Sequence, residues 1–350
     1  MLATQTTSGT RHNGNTPLEF DSHTFFLQYE RQTQRKASVS LCASTRTVIQ
    51  AFAIPITQSD SAMELNSEIP TASPRDAATV IMLRDTPQGM EVFLVKRHGL
   101  SDVLGGAYVF PGGKLDDSDA RLDTLSHLDQ HPAQLHAALG EPDTPVSTAT
   151  GLYVAALREA FEESRVLFAQ DAHTAHTALA QQPDLPFNEM LSRLSLRLQT
   201  SHVLPWSRWI TPRMPSVTSK RFDTRFFVAA VPPDQEARHD NHEATESVWL
   251  RPRAALEQYW NSQIELAPPQ IMTLAHLSRF GTVDSVMQGA RSSSPPLILP
   301  EAFNDGGERV ICYPGDARHP VSTRAMPGPT RLSYRNKRFE PAEGFEALFT

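Results

Sequence analysis

Residues 156–166 read ALREAFEESRV and crowd Arg158, Glu159, Glu162 and Glu163 around Leu157, Ala160 and Phe161. Helix neighbours three and four apart share a face, so the three glutamates point roughly the same way and Arg158 reaches Glu162 at i,i+4. Their mutual repulsion costs a few tenths of a kcal/mol per pair, roughly, and one arginine does not neutralise three carboxylates. A solvated face is the bland account of a glutamate-rich helix. Against it stands FPGGK at 110–114, whose paired glycines let backbone approach such a cluster closely. Hard oxygen ligands at this spacing suit Mg²⁺, which takes a few carboxylates and completes its shell with water and substrate phosphates.

Around this stretch the pattern is that of a sheet protein with helices. AATVIMLRD and MEVFLVKRH are β-branched and apolar runs separated by TPQG, which predicts two strands and a tight turn. GGAYVFPGGKLDDSDA punctuates a loop around a short apolar strand. TATGLYVAALREAFEESRVLFA carries apolar residues at helical spacing and predicts a helix over 151–168, with Thr148 or Thr150 as N-cap. WSRWITP, RFDTRFFVAAVP and ESVWLRP return to strand. RPRAALEQYWNSQ and APPQIMTLAHLSRFGTV read as helices with proline in the first turn.

Length and composition bound the rest. The 350 residues are 39% apolar and 20% charged with a net charge of −7, which suits a globular core and argues against nucleic acid or anionic membranes as partners. An acidic protein still binds phosphates through a metal ion. Cys42 and Cys312 stand far apart without zinc-ligand spacing, and no apolar run reaches the roughly 18 residues of a membrane span. Residues 1–72, rich in Ser, Thr and Gln, predict a disordered extension, and Met63 is a candidate start. Residues 73–285 predict the main domain, with a polar insertion at 121–147 outside the sheet. Residues 286–350, rich in proline, predict a C-terminal extension packed on it in extended segments.

The residues around the glutamates resemble the Nudix hydrolases, whose box reads G-x5-E-x7-R-E-U-x-E-E-x-G-U with U a bulky aliphatic. Gly113 begins it, Asp119 stands at the first glutamate, and REAFEESRV supplies Arg158, Glu159, Glu162, Glu163 and Val166. Arg165 replaces the usual glycine, so the turn after the helix is altered or the helix is prolonged. Between Asp119 and Arg158 lie 38 residues where the family has seven. That insert, with FPGGKLD before it and WITP, RFDTRFF and LAPPQ after it, is similar to the coenzyme A diphosphatases of the mammalian peroxisomal Nudix motif-nineteen type and their bacterial relatives.

The resemblance implies an α/β Nudix fold, a mixed sheet sandwiched between helices, and a metal-dependent hydrolysis of a nucleoside diphosphate linked to another moiety. Coenzyme A or acyl-CoA is the expected substrate; ADP-ribose, NADH or a dinucleoside polyphosphate is the alternative, and a non-catalytic nucleotide-binding module the third. It implies Mg²⁺ or Mn²⁺ as cofactor, held by Glu159, Glu162, Glu163 and the Gly112 carbonyl, with Glu159 as ligand or base and Arg158 orienting the glutamates. Glu243 and Glu246 are the candidates for a base from a later loop, or ordinary loop charges. Lys220, Arg221 and Arg225 are candidates to grip a 3′-phosphate, or charges guarding an edge strand. Trp206, Trp209 and Trp249 read as core or rim before stacking platforms. The final Leu-Phe-Thr does not resemble a peroxisomal address, which leaves the cytoplasm as the expected location.

Overall fold

The computed structural model describes residues 73–99, 104–121, 126–173, 185–214, 220–239 and 244–350. The expectations for residues 1–72, including Met63 and Cys42, lie outside the described residues, as does Glu243.

Among the described residues the centre is a mixed sheet of eight strands: β1 (Arg75–Thr86), β2 (Gly89–Arg97), β3 (Tyr108–Val109), β4 (Gly112–Lys114), β5 (Val203–Ile210), β6 (Phe222–Ala230), β7 (Ala244–Leu250) and β8 (Leu297–Ile298). The order is β3-β2-β1-β6-β5-β8, with β4 added to β1 and β7 to β2. β1 runs parallel to β6 and antiparallel to β2 and β4. The middle of β1, Ala77–Leu83, is apolar apart from Thr79 because both of its faces are covered there. Alternate residues sort accordingly: Ala78, Val80 and Met82 enter one core and Ile81 and Leu83 the other.

The first core is shared with α1 (Pro132–Leu139), α2 (Val146–Ser164) and α3 (Phe187–Arg193). The second is shared with α4 (Pro252–Trp260), α5 (Pro268–Leu277) and α6 (Val283–Ser292). Among the described residues no helix is long and apolar enough to cross a membrane.

Two expectations are corrected. α2 begins at Val146 after Pro145, five residues before the expected start, so neither Thr148 nor Thr150 caps it. Thr150 lies within the first turns and its hydroxyl donates to the Val146 carbonyl at 2.7 Å. The helix also ends at Ser164 rather than 168. Arg165 takes the left-handed conformation, φ 62°, and its N–H closes the last turn on the Phe161 carbonyl, doing what glycine does elsewhere.

The segment after 286 is more regular than its proline content suggests. β8 joins the main sheet beside β5. A second antiparallel sheet follows in the order β12-β11-β10-β9, built from β9 (Glu301–Asp305), β10 (Glu308–Cys312), β11 (Arg331–Arg335) and β12 (Arg338–Glu340). Two-residue loops close its hairpins, Gly306–Gly307 and Asn336–Lys337, all four at positive φ as hairpin turns of this length require. Ile311, Tyr313, Leu332 and Phe339 bury into the second core.

Candidate functional site

The helix α2 buries Leu152, Ala156 and Ala160 and presents its last turns to β4. Arg158 is the hub. Its Nε and Nη2 donate to the two carboxylate oxygens of Asp119 at 2.9 and 3.0 Å, and Nη1 donates to Glu159 at 2.7 Å and Glu162 at 2.9 Å. Nη2 also donates to the Lys114 carbonyl at 3.1 Å. Asp119 is wholly buried, and it accepts the Asp116 N–H at 2.9 Å. Burial opposes the charge on Arg158, but the Asp119 hydrogen bonds and the charges of Glu159, Asp119 and Glu162 outweigh it and raise its pKa. Burial raises the Glu162 carboxyl pKa above the ordinary value, against the pull of Arg158 and with the charges of Asp119 and Asp116 adding to it.

The glycine strand meets this helix directly. Gly112 stands opposite Thr79 in the β1–β4 ladder, and its N–H donates to Glu163 at 3.0 Å. Gly113 lies against Glu159 so closely that a Cβ there would overlap the carboxylate. A cleft of about 650 Å³ opens over this junction. Lys114, Ala77, Thr224 and Trp209 are successive partners across β4, β1, β6 and β5, and all four line it. Its floor is therefore the sheet face that also carries Ile81 and Leu83, reaching from the acidic helix end at β4 to Trp209 on β5. Three strand spacings make that roughly 14 Å.

The structure brings Arg158, Glu159, Glu162, Glu163, Gly112, Gly113 and Asp119 together. The other expected residues divide. Lys220 lines the cleft. Arg221 donates twice to the Thr211 carbonyl, at 3.1 and 3.0 Å. Arg225 is corrected: it is 3% exposed and its guanidinium is held by Glu141, at 3.0 and 2.6 Å, and by Asp76 and Asp223. A buried cation already bound by three carboxylates has no donor fork to offer a phosphate. The edge-strand account of Arg225 fails too, since β6, which carries it, lies between β1 and β5. Glu246 stands opposite Lys96 on β7, pairs with it at 3.6 Å, and is not among the residues lining the cleft. Trp206, Trp209 and Trp249 pack into the two cores, Trp209 also forming part of the cleft wall.

Sequence reading missed the partner of Arg225. Glu141 comes from the insertion and also pairs with Arg208 at 3.0 Å, tying that segment to β5 and β6. It missed Gln270 and Ile311 in the cleft wall as well. No local signal marks such contacts, although the PPQ run was visible.

Among the described residues no three His, Cys, Asp or Glu side chains converge into a ready-made metal cluster. Arg158 draws Glu159 and Glu162 one way while Glu163 turns to Gly112. The donor set nevertheless fits a hard divalent cation: carboxylates within one helical turn, facing a strand whose missing Cβ leaves Glu159 its place.

The family model described as the NUDT19 Nudix domain matches residues 74–277. The acyl-coenzyme A diphosphatase NUDT19 of Xenopus laevis is 26% identical over 234 residues, 56% of this chain and 62% of that protein, so the match spans less than two thirds of the frog relative. The putative nudix hydrolase 7 of Caenorhabditis elegans is 25% identical over 256 residues, 70% of this chain and 75% of its own. A solved Nudix hydrolase from Alicyclobacillus acidocaldarius superposes over 64% of this chain and 98% of its own, with 25% identity and a TM-score of 0.51. With a mixed sheet between two helical layers and a model match over more than half its length, the chain belongs to the NUDT19 Nudix domain family.

Proposed function

We propose that the chain is a metal-dependent Nudix diphosphatase that splits coenzyme A or an acyl derivative into 3′,5′-ADP and a 4′-phosphopantetheine product. The observation that carries this reading is the meeting of the glycine strand with the Arg158-clamped glutamates at one end of a long cleft. The frog relative's name supports the choice of substrate. Mg²⁺ or Mn²⁺ held by Glu159, Glu162, Glu163 and the Gly112 carbonyl would neutralise phosphate oxygens and lower the pKa of a bound water.

The chain's own residues supply the positioning. Asp119 holds the guanidinium of Arg158, and Arg158 holds one oxygen each of Glu159 and Glu162 on the cleft side of the helix. Glu163 docks on the Gly112 amide and so fixes β4 against α2. Gly113 lets Glu159 approach backbone, where it serves as ligand or as base toward the attacking water. Lys220, on the cleft lining, adds positive charge for an anionic substrate.

The test is a hydrolysis screen with coenzyme A, ADP-ribose and NADH, with Mg²⁺, Mn²⁺ or chelator, products identified by mass. Metal-dependent release of 3′,5′-ADP from coenzyme A, faster than cleavage of the other two, is expected. Preference for ADP-ribose or NADH would replace the substrate; no cleavage of any would refute the activity.

A further inference from the structure

Gln270 is 6% exposed, lines the cleft, and its Oε1 has no hydrogen-bond partner among the described residues. An amide oxygen buried without a donor is costly, and an apolar residue of the same length would avoid that cost. Pro268 and Pro269, which open α5 just before it, bring no N–H of their own to pair with it. Phe226, Pro300 and Ile311, which line the same cleft, have no side-chain donor either. The oxygen itself is closed to solvent, but the last torsion of a glutamine side chain is soft, and rotation about it carries the oxygen toward the cleft that the residue lines.

We propose that Gln270 is a specificity-determining residue that accepts a hydrogen bond from an N–H borne on an apolar arm of the substrate, the secondary amide of a pantetheine-like chain. The assignment rests on the diphosphatase reading above and extends it to the part of the substrate beyond the diphosphate. An adenine amino group is the other source of such a donor. Stacking of a base is disfavoured because the Trp209 ring already packs against Phe226 and Tyr313, with centroids 6.3 and 5.9 Å away. The floor also runs about 14 Å from β4 to β5, the reach of an extended arm rather than of a compact ribose.

Gln270→Met keeps the length and removes the acceptor. The variant should melt at or above the wild-type temperature, since an unpaired buried amide is gone. KM for coenzyme A should rise about tenfold with kcat within about twofold, and the affinity for 4′-phosphopantetheine alone, by titration calorimetry, should fall by a similar factor. Affinity for 3′,5′-ADP should not move. Unchanged KM and unchanged phosphopantetheine affinity would overturn the assignment, and so would a loss confined to 3′,5′-ADP, which would mean that the residue reads adenine. If the wild type cleaves no diphosphate, the proposed activity falls, while the phosphopantetheine titration still decides the role of Gln270.

Discussion

At the scale of the residue, the site depends on one buried cation and its anchor. Asp119 has the shorter of the two acidic side chains, yet both of its oxygens reach Arg158, and its complete burial makes that pair hard to replace. The glutamates beyond it are open to direct test. Glu163→Gln keeps an oxygen that accepts the Gly112 N–H, so the helix should melt unchanged, while turnover of a substrate the parent cleaves should fall roughly 10²-fold or more, as loss of a charged ligand to a metal-held phosphate implies. Wild-type turnover in the purified variant would leave this residue the packing role of holding the Gly112 amide.

His276 offers a second test, far from that chemistry. Its ring packs on Trp206 and Phe280, and burial, aided by nearby Arg279, pushes its pKa down to about 4 from the ordinary 6.5. Between those values the unfolded chain binds the proton and the folded one does not. Stability from the neutral ring is therefore full above pH 6.5 and is lost as pH falls toward 4, on the order of 3 kcal/mol over the window. Urea midpoints across that range should drop less steeply in His276→Phe than in the parent; parallel acid limbs would rule the group out as a contributor.

At the scale of the element, α2 is defined by how it stops. Arg165 closes the last turn in a left-handed conformation that costs a non-glycine residue about 1 kcal/mol, and its guanidinium lies 5.8 Å from the centre of the Phe161 ring. The insertion is the other element that tertiary contacts organise. Its helix α1 carries a capping box from His131 and Gln134, and Glu141 beyond it joins Arg225 and Arg208. Glu141→Gln leaves Arg225 buried with one fewer countercharge. The expected cost is about 2–3 kcal/mol, read as a lower urea midpoint with an unchanged slope. An unaltered midpoint would mean that Asp76 and Asp223 hold Arg225 without help.

At the scale of the whole molecule, one sheet separates two cores, and the cleft wraps from one face over the glycine strand to the glutamates on the other. Under the proposed activity, an acidic site and an apolar wall would address two parts of one substrate. Lys220 bears on the remaining part. If it meets the 3′-phosphate, Lys220→Ala should raise KM for coenzyme A about threefold or more and leave dephospho-coenzyme A unchanged. Equal effects on the two substrates would show a general electrostatic role.

Much of this was legible in the linear chain, for identifiable reasons. The paired strands 75–86 and 89–97, the proline-led helices and the glutamate face of α2 are properties of spacing, and spacing of 2.0 or 3.6 residues is local. The R-E-x-x-E-E pattern and FPGG upstream marked the candidate site because backbone approach and carboxylate clustering are written into residue type. What escaped was set by partners distant in sequence. Glu141 and Arg225 are 84 residues apart, and nothing near either announces the other, so a buried network read as a phosphate grip. Helix α2 started early because tertiary burial of Ala149 and Leu152 overrode the cap preference of threonine. The Gly306–Gly307 turn was a hairpin signal hidden by the prolines around it. Local periodicity and residue chemistry thus determined the elements and the acidic cluster, whereas the partner of each buried charge and the wall of the cleft were decided by which strands and helices the fold packs together.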